Sequence, residues 1–498
     1  MLKFRKVILI MTDTQRWDMC GCYRDTGLKT PQIDSLAEGG IRFEKAYTTQ
    51  PVCQPARAAI FTGMYPNSCA SWSNSMGISD NVLSLGQRLS DNGVHTAYIG
   101  KWHLDGSDYF GSSVCPAGWD KEYWYDMRNF LEELTEEERL RSRDTEYMLE
   151  HGYPDEMTYG YKCTSRALDF LQNHGEEDFF LALSFDEPHH PFMCPKPYSD
   201  MYKDYTFPKS QNVYDNLENK PDYQKAWAGD TLYEDKESLE ITHRPFFGCN
   251  SYVDDKIGQV IRAAAEYAPD AMIIYTADHG DFLHSHSLSG KGPAAYDEIS
   301  RIPFIIAGKG IPSGVVGKNP VSHINIAPTI MEVMGYDIPK TMQGNSLTNE
   351  LEHPSSCATN KHIFIEFGRY EVDHDSFGGF QPMRTVFDGR YKLSINLLST
   401  DELYDMESDP GEMDNLIERP SHTSIRNALH DVLLEHMNNT RDPFRGYYWE
   451  RRPWRKDARQ ATWDYTGMTR QREESTRYEK RQLDYATGLE METAVRKK

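Results

Sequence analysis

Short runs of consecutive apolar residues recur through the first three hundred positions, each followed by polar residues and then by a helical pattern. They are "VILIM" (7–11), "HTAYIG" (95–100), "DFFLALSF" (178–185), "AMIIYTA" (271–277) and "RIPFIIAG" (301–308). Runs of this length with no polar alternation predict strands buried on both faces, as in a parallel sheet covered by helices. Residues 253–267 between two of them place Val253, Ile257, Val260, Ile261 and Ala264 on one helical face. Alternating strand and helix predicts an α/β domain over 1–350, a large, doubly wound, mostly parallel sheet sandwiched by helices. Near residue 350 the texture changes. "HIFIEFGRYEV", "MRTVFDGRYKLSINL" and "DELYD" read as antiparallel strands with a "DGR" turn, and Ile425, Leu429, Val432 and Leu433 mark one amphipathic helix. This predicts a smaller C-terminal α+β subdomain over 351–440 and a separate extension over 441–498.

The length of 498 residues exceeds one ordinary domain and suits this division. No apolar run approaches the roughly 18 residues of a membrane span. The opening "MLKFRKVILIMTD" has too short an apolar run for a signal peptide, so a cytoplasmic protein that meets no membrane is expected. Nine scattered cysteines fit reduced thiols, and Cys20 and Cys22 sit too close for an ordinary zinc pair. A formal charge of −22 argues against a nucleic-acid binder. The charge is uneven: residues 440–498 hold 15 Lys/Arg against 10 Asp/Glu and carry Trp449, Trp454 and Trp463. Such a tail could pack on the acidic body as a structural extension, clasp a second copy in a homo-oligomer, or meet a polyanionic substrate.

In an open α/β sheet, ligands bind beyond the carboxyl ends of the strands. The residues just past each run therefore carry the chemical signal. After "VILIM" comes "TDTQR" with Asp13. After "HTAYIG" comes "KWHLD" with Lys101 and His103. After "DFFLALSF" comes "DEPHHPF" with His189 and His190. After "AMIIYTA" comes "DHGDFLHSH" with Asp278 and His279, then "GKG" with Lys291. Taken singly, an Asp after a strand is usually a turn or cap residue. Four such ends together describe a site for metal, anions and proton transfer. The stretch "CQPARAAIFTG" adds a helix that Pro55 can start and Gly63 can end. That puts Cys53 at a helix N-terminus, which favours anions, and Arg57 one turn on, a bidentate cation suited to a tetrahedral oxyanion. An unmodified thiolate there would be a nucleophile.

"CQPARAAIFTG" resembles the signature of the type I, formylglycine-dependent sulfatases of the alkaline phosphatase-like superfamily, Cys-x-Pro-x-Arg followed by Thr-Gly. "GKWHLD", "DEPHHPF", "DHGDFLHSHSLSGKG" and "LYDMESDPGEMDNL" fall in family order, so the resemblance covers the chain to about residue 420. The resemblance implies that a separate maturation enzyme oxidises Cys53 to formylglycine. Its hydrate would attack sulfur through one hydroxyl, and loss of the proton from the other would expel sulfate. It implies a divalent cation, Ca2+ ahead of Mg2+ or Mn2+, held by Asp13, Asp278, His279 and the modified Cys53. Arg57 and Lys101 would neutralise charge around diol and sulfate, and His103 would be the base. His189 and Lys291 would contact the scissile ester, with His189 the acid for the leaving oxygen. His189 is preferred to His190 because the family's His follows the first Pro. Thr14 stands where many members have a second Asp, and would ligate weakly or only hydrogen-bond. His286 would stand behind the ligands.

The expected reaction is hydrolysis of a sulfate monoester, with a small sulfated saccharide as the partner of the site. Thr14 and His279 are shared with the family's phosphonate monoester hydrolases, so a phosphonate or phosphodiester hydrolase using the same formylglycine is the alternative. A catalytically silent binding protein would show a broken signature, and a two-zinc phosphatase would want Ser or Thr at position 53. The stretch "RYEVDHDSFGGFQPMR" could supply a substrate-binding loop, with Arg369, His374, Asp375 and Arg384 as candidates.

Overall fold

The apolar runs form strands where their patterning places them. The computed structural model describes residues 2–74, 76–106, 109–354, 358–371, 379–458 and 485–489. Seven strands make the main sheet: β1 (Lys6–Thr12), β2 (Gly40–Phe43), β3 (His95–Gly100), β4 (Phe179–Ser184), β5 (Met272–Ala277), β6 (Phe304–Ala307) and β7 (Val315–Gly317), in the order β3-β4-β1-β5-β6-β2-β7. β3, β4, β1 and β5 run parallel, so their carboxyl ends share one edge. β6 departs from the expected parallel run and pairs antiparallel with both β5 and β2. The chain between β5 and β6 turns back without the crossover a parallel neighbour would need.

Alternation along β1 shows why its run is apolar throughout. Val7, Leu9 and Met11 enter one core, with Ala58, Ile60 and Phe61 of helix α1 (Cys53–Thr62). Ile8 and Ile10 enter the opposite core, with Cys163, Ala167 and Phe170 of α2 (Tyr159–His174) and Val253, Ile257 and Val260 of α3 (Arg244–Tyr267). Side chains of such a strand leave water on both faces, each contributing roughly 1.5–3 kcal/mol. No helix among the described residues is long and apolar enough to cross a membrane.

The second sheet is antiparallel throughout, in the order β8 (Ile363–Arg369), β9 (Phe380–Phe387), β10 (Tyr391–Asn396) and β11 (Glu402–Asp405). Helix α4 (Thr423–Asn439) covers it with Leu429, Leu433 and Met437. The compact unit does not stop at 440 but runs through Arg455. Trp449 and Trp454 join the core of Leu393, Ile395 and Leu403, and Arg452 pairs with buried Asp401 at 2.7 Å. Both tryptophans are thus consumed by intrachain packing. Trp463 lies outside the described residues.

Candidate active site

The shared edge of β1, β3, β4 and β5 carries the chemistry, and α1 aims its first residue at the same place. Within α1 all ten residues are buried, and Gly63 ends it in the left-handed conformation at φ 66°, its N–H donating to Ala59 O. Asp13, Cys53, Asp278 and His279, all buried, offer ligand atoms lying within 4.8 Å of one another. Lys291 Nζ lies 2.7 Å from Cys53 Sγ and 2.9 Å from His279 Nε2. His279 Nδ1 faces Gly280 O at 2.8 Å, so the ring donates there and keeps the Nε2 lone pair for the site.

Arg57 organises the carboxylates. Its Nη2 donates to Asp13 Oδ2 at 3.0 Å and its Nε to Asp278 Oδ2 at 3.2 Å, while Nη1 donates to Lys101 O and Ser184 Oγ. With its donors so engaged, the guanidinium fixes both acids in place rather than standing free for a ligand. Lys101 Nζ bridges Asp13 Oδ2 at 2.8 Å and Asp186 Oδ1 at 3.0 Å. Thr14, at φ 64°, donates its hydroxyl to Asp13 Oδ1 and its N–H to Asp278 Oδ1, orienting two ligand carboxylates. His103 also sits in the left-handed region, at φ 55°, and its Nδ1 is buried without a hydrogen-bond partner among the described residues.

The charges are set by this crowding. Burial opposes ionisation of Asp13, yet Lys101, His189, Lys291 and Arg57 hold it well below the usual carboxylate range. Burial and then the Asp13 charge push Asp278 up to about 6, against His279 and Arg57. Burial and Asp13 also oppose ionisation of Cys53, but Lys291, Lys101 and His279 pull its thiol well below the ordinary value. Burial lowers His103, with the Lys101 charge adding to it and contact with Cys53 opposing.

His189 stands at the rim, its side chain 22% exposed. Its Nδ1 lies 2.8 Å from His190 O and 3.1 Å from the Tyr109 hydroxyl, and its Nε2 lies 4.0 Å from Asp13 Oδ1. Tyr109 donates to Asp186 Oδ1 at 2.6 Å and lays its ring 4.1 Å from Lys101 Nζ. The Asp186–Tyr109 pair was missed by sequence reasoning. Asp186 directly follows the β4 run in "DEPHHPF", the same signal that marks Asp13 and Asp278. Tyr109 has none, because its loop carries no periodicity. Tyr370 is a second addition from the C-terminal sheet: burial raises its phenol while the neighbouring Lys291 and Lys101 charges oppose.

Two expected residues, His286 and Arg384, lie elsewhere. Buried His286 is held by Asp215 at 2.6 Å and stacks on Tyr296 at 4.0 Å, with no metal-cluster residue among its hydrogen-bond or ring partners. Its partners make it a support for the loop after β5. Arg384 is a correction. It is 1% exposed and its guanidinium is taken up by Asp442, Phe367 O and Met383 O, so it holds the C-terminal sheet together and offers a ligand nothing. Arg369 ends β8 half-buried, beside Tyr370. His374 and Asp375 lie outside the described residues.

The donor set admits a divalent cation. Two buried carboxylates, with the Asp13 charge adding to burial in raising Asp278, converge with an imidazole lone pair within one cluster. The thiol of Cys53 is the one soft donor in a largely hard set.

The sulfatase family model matches residues 5–336, and the model for the C-terminal region of N-sulphoglucosamine sulphohydrolase matches residues 292–439. The uncharacterized sulfatase YidJ of Escherichia coli (strain K12) is 42% identical over 498 residues, spanning 98% of this chain and 97% of its own. A protein solved in complex with its substrate D-glucosamine-2-N,6-O-disulfate superposes with a TM-score of 0.72 at 20% identity, over 89% of this chain and 99% of that one. The phosphonate monoester hydrolase of Agrobacterium radiobacter superposes at 0.69 and 22% identity, over 87% and 96%. At these identities the structural likeness is one of fold.

Proposed function

This chain belongs to the sulfatase family and is a sulfuric ester hydrolase, and from that premise we propose that it frees inorganic sulfate from a sulfate monoester borne by a small saccharide. The observation that carries the reading is Cys53 at the start of α1, with Lys291 2.7 Å from its sulfur and the Asp13–Asp278–His279 cluster beside it. Asp13, Asp278, His279 and the oxidised Cys53 would hold the cation, Ca2+ by family resemblance. When present, the cation would set positive charge against the sulfate oxygens, and the hydrated aldehyde would offer a hydroxyl nucleophile. The chain's own residues do the rest. Arg57 and Thr14 orient the carboxylates. Lys101 and Lys291 set a positive potential where sulfate charge must be met. His103 takes a proton at the ring nitrogen that faces Cys53. His189 gives one from Nε2 to the leaving oxygen, its Nδ1–H directed at His190 O and the Tyr109 oxygen.

The saccharide rests on the structural neighbour whose substrate is a sulfated glucosamine, and on a rim where the C-terminal sheet contributes Tyr370. Thr14 in place of a second Asp, with His279 beside Asp278, favours the second reading, hydrolysis of a phosphonate monoester or phosphodiester.

The deciding measurement is kcat/KM for one aryl sulfate and the matching aryl phosphonate. The protein would be co-expressed with a formylglycine-generating enzyme and its Cys53 peptide shown by mass to have lost the thiol, with Cys53→Ala as control. A sulfate preference abolished in the control is expected. A phosphonate preference overturns the reaction while leaving the site residues in place.

A further inference from the structure

At the opposite, amino-terminal edge of the sheet lies a cluster that the reaction does not use. His95 opens β3, His174 ends α2, and Glu177 stands in the turn that leads into β4. Both imidazoles direct Nδ1 at the same carboxylate: His95 Nδ1 is 2.9 Å from Glu177 Oε2 and His174 Nδ1 is 2.8 Å from Glu177 Oε1. All three ligand atoms lie within 4.8 Å of one another. Since Lys101 follows the other end of β3, the cluster is about 20 Å along the strand from the catalytic residues, at roughly 3.3 Å per residue.

We propose that His95, His174 and Glu177 form a second metal site, for a divalent transition cation of the Zn2+ type. Two imidazole nitrogens and one carboxylate oxygen, with a fourth position left to water, are a zinc-type ligand set and a poor one for Ca2+. The nitrogens facing away from the proposed ion are anchored. His95 Nε2 lies 2.7 Å from Asp120 Oδ2, and His174 Nε2 lies 3.1 Å from the Tyr123 hydroxyl, itself 3.2 Å from Asp169 Oδ2. A carboxylate or hydroxyl behind each metal-binding histidine fixes ring orientation and leaves the other nitrogen to the metal. The two rings meet edge to face at 4.6 Å and pack on Phe170 at 5.1 and 5.3 Å, so their planes are held by an aromatic wall.

His95 carries a further sign. Both its nitrogens face carboxylates, which only accept, an arrangement that a cation at Nδ1 satisfies. On binding, the ion would take the position between the two Nδ1 atoms and Glu177, each ring keeping its Nε2 contact with Asp120 or Tyr123. The geometry is close to what is needed. Ligand atoms about 2.0–2.1 Å from a tetrahedral Zn2+ stand about 3.3 Å apart, so the present 2.8 and 2.9 Å must open slightly. Glu177, its side chain 50% exposed, can yield, and the 20% and 24% exposure of the two rings leaves an entry path. An ion there would tie the start of β3, the end of α2 and the approach to β4 together.

The test is Co2+ and Zn2+ titration of the chelator-treated full-length protein, followed by visible absorption, competition with a chromophoric chelator and thermal midpoint. An Asp13→Asn background weakens binding at the catalytic cluster. The expected result is one Co2+ or Zn2+ equivalent that survives Asp13→Asn, with a Zn2+-dependent rise in midpoint. His174→Ala should abolish both, and Asp120→Asn should weaken binding roughly 10- to 100-fold. Glu177→Gln, at a half-exposed position, gives the same answer should His174→Ala fail to fold, and Zn2+ affinity should drop at least about tenfold. Unchanged Zn2+ affinity in Glu177→Gln, or no equivalent in the Asp13→Asn background, overturns the proposal and leaves a set of histidine–carboxylate pairs.

Discussion

Arg384 separates two accounts of one residue, and Arg384→Gln decides between them. Its guanidinium and the Asp442 carboxylate are each 1% exposed, joined at 2.5 and 3.0 Å by two parallel hydrogen bonds, and Nη1 donates to two carbonyls of the C-terminal sheet. Glutamine keeps much of the length but loses the charge and most donors. Asp442 would then stay buried without its partner. Glu366, whose carboxyl burial pushes up to about 7 against the Arg384 charge, would lose that cationic neighbour as well. Removing one member of a buried pair costs about 3–5 kcal/mol, because the other is left uncompensated in a low dielectric. Replacing both, as Arg384→Met with Asp442→Leu, should recover most of that loss, since neither member of the pair is left as an uncompensated buried charge. The assay pairs thermal and urea midpoints with steady-state kinetics on an aryl sulfate well below the melting range. We expect a fall in stability of that size, rescue in the double variant, and KM within about twofold of wild type. A midpoint shift worth under about 0.5 kcal/mol, together with a tenfold rise in KM, would refute the structural account and restore Arg384 to the substrate loop.

The geometry sets three further outcomes. Tyr109→Phe removes the hydroxyl that links Asp186 to His189 Nδ1, and the loss of one such bond, about 1 kcal/mol, should lower kcat roughly fivefold with KM nearly unchanged; a drop in KM-dependent binding alone would contradict a positioning role. Chelation of the matured enzyme should abolish sulfate ester hydrolysis, and Ca2+ should restore it in wild type but not in Asp278→Ala; activity that survives exhaustive chelation removes the Asp13–Asp278–His279 site from the reaction. Burial lowers His436 to about 3, with Arg384 adding to it, while its ring lies flat on Phe364 at 3.7 Å. The folded value lies below the unfolded one of about 6.5, so the unfolded chain binds the extra proton as pH falls and stability drops from pH 6.5 downward. The slope is about 1.4 kcal/mol per pH unit for this one group; the difference between urea midpoints at pH 7.5 and 5 should shrink in His436→Phe, and an unchanged difference would rule the group out.

What could be read from the chain alone divides by how far a residue's reason lies from it in sequence. Asp13, Lys101 and Asp278 each follow a continuous apolar run, and the parallel order of β1, β3 and β5 brings those ends together; both facts are local. Asp186 obeyed the same rule and was overlooked because the histidines of "PHHP" drew the assignment to themselves. Arg384 was misplaced for the opposite reason. It lies just past a glycine-rich stretch that reads as a binding loop, but its carboxylate is 58 residues away, in a segment that the sequence sets apart from the C-terminal subdomain as an extension. Trp449 and Trp454 follow the first of the readings open to the tail, packing on the acidic body: Arg452 and Arg455 find Asp401 and Asp431 in the folded chain and leave the rings to the core. His95 and His174 sit 79 positions apart and carry no motif at all. Only the pairing of β3 with β4, and the turn that returns α2 to the sheet, sets them against one carboxylate. A site at strand ends is therefore legible wherever strands are, whereas a site assembled from an edge strand and a returning helix becomes visible only once the register is known.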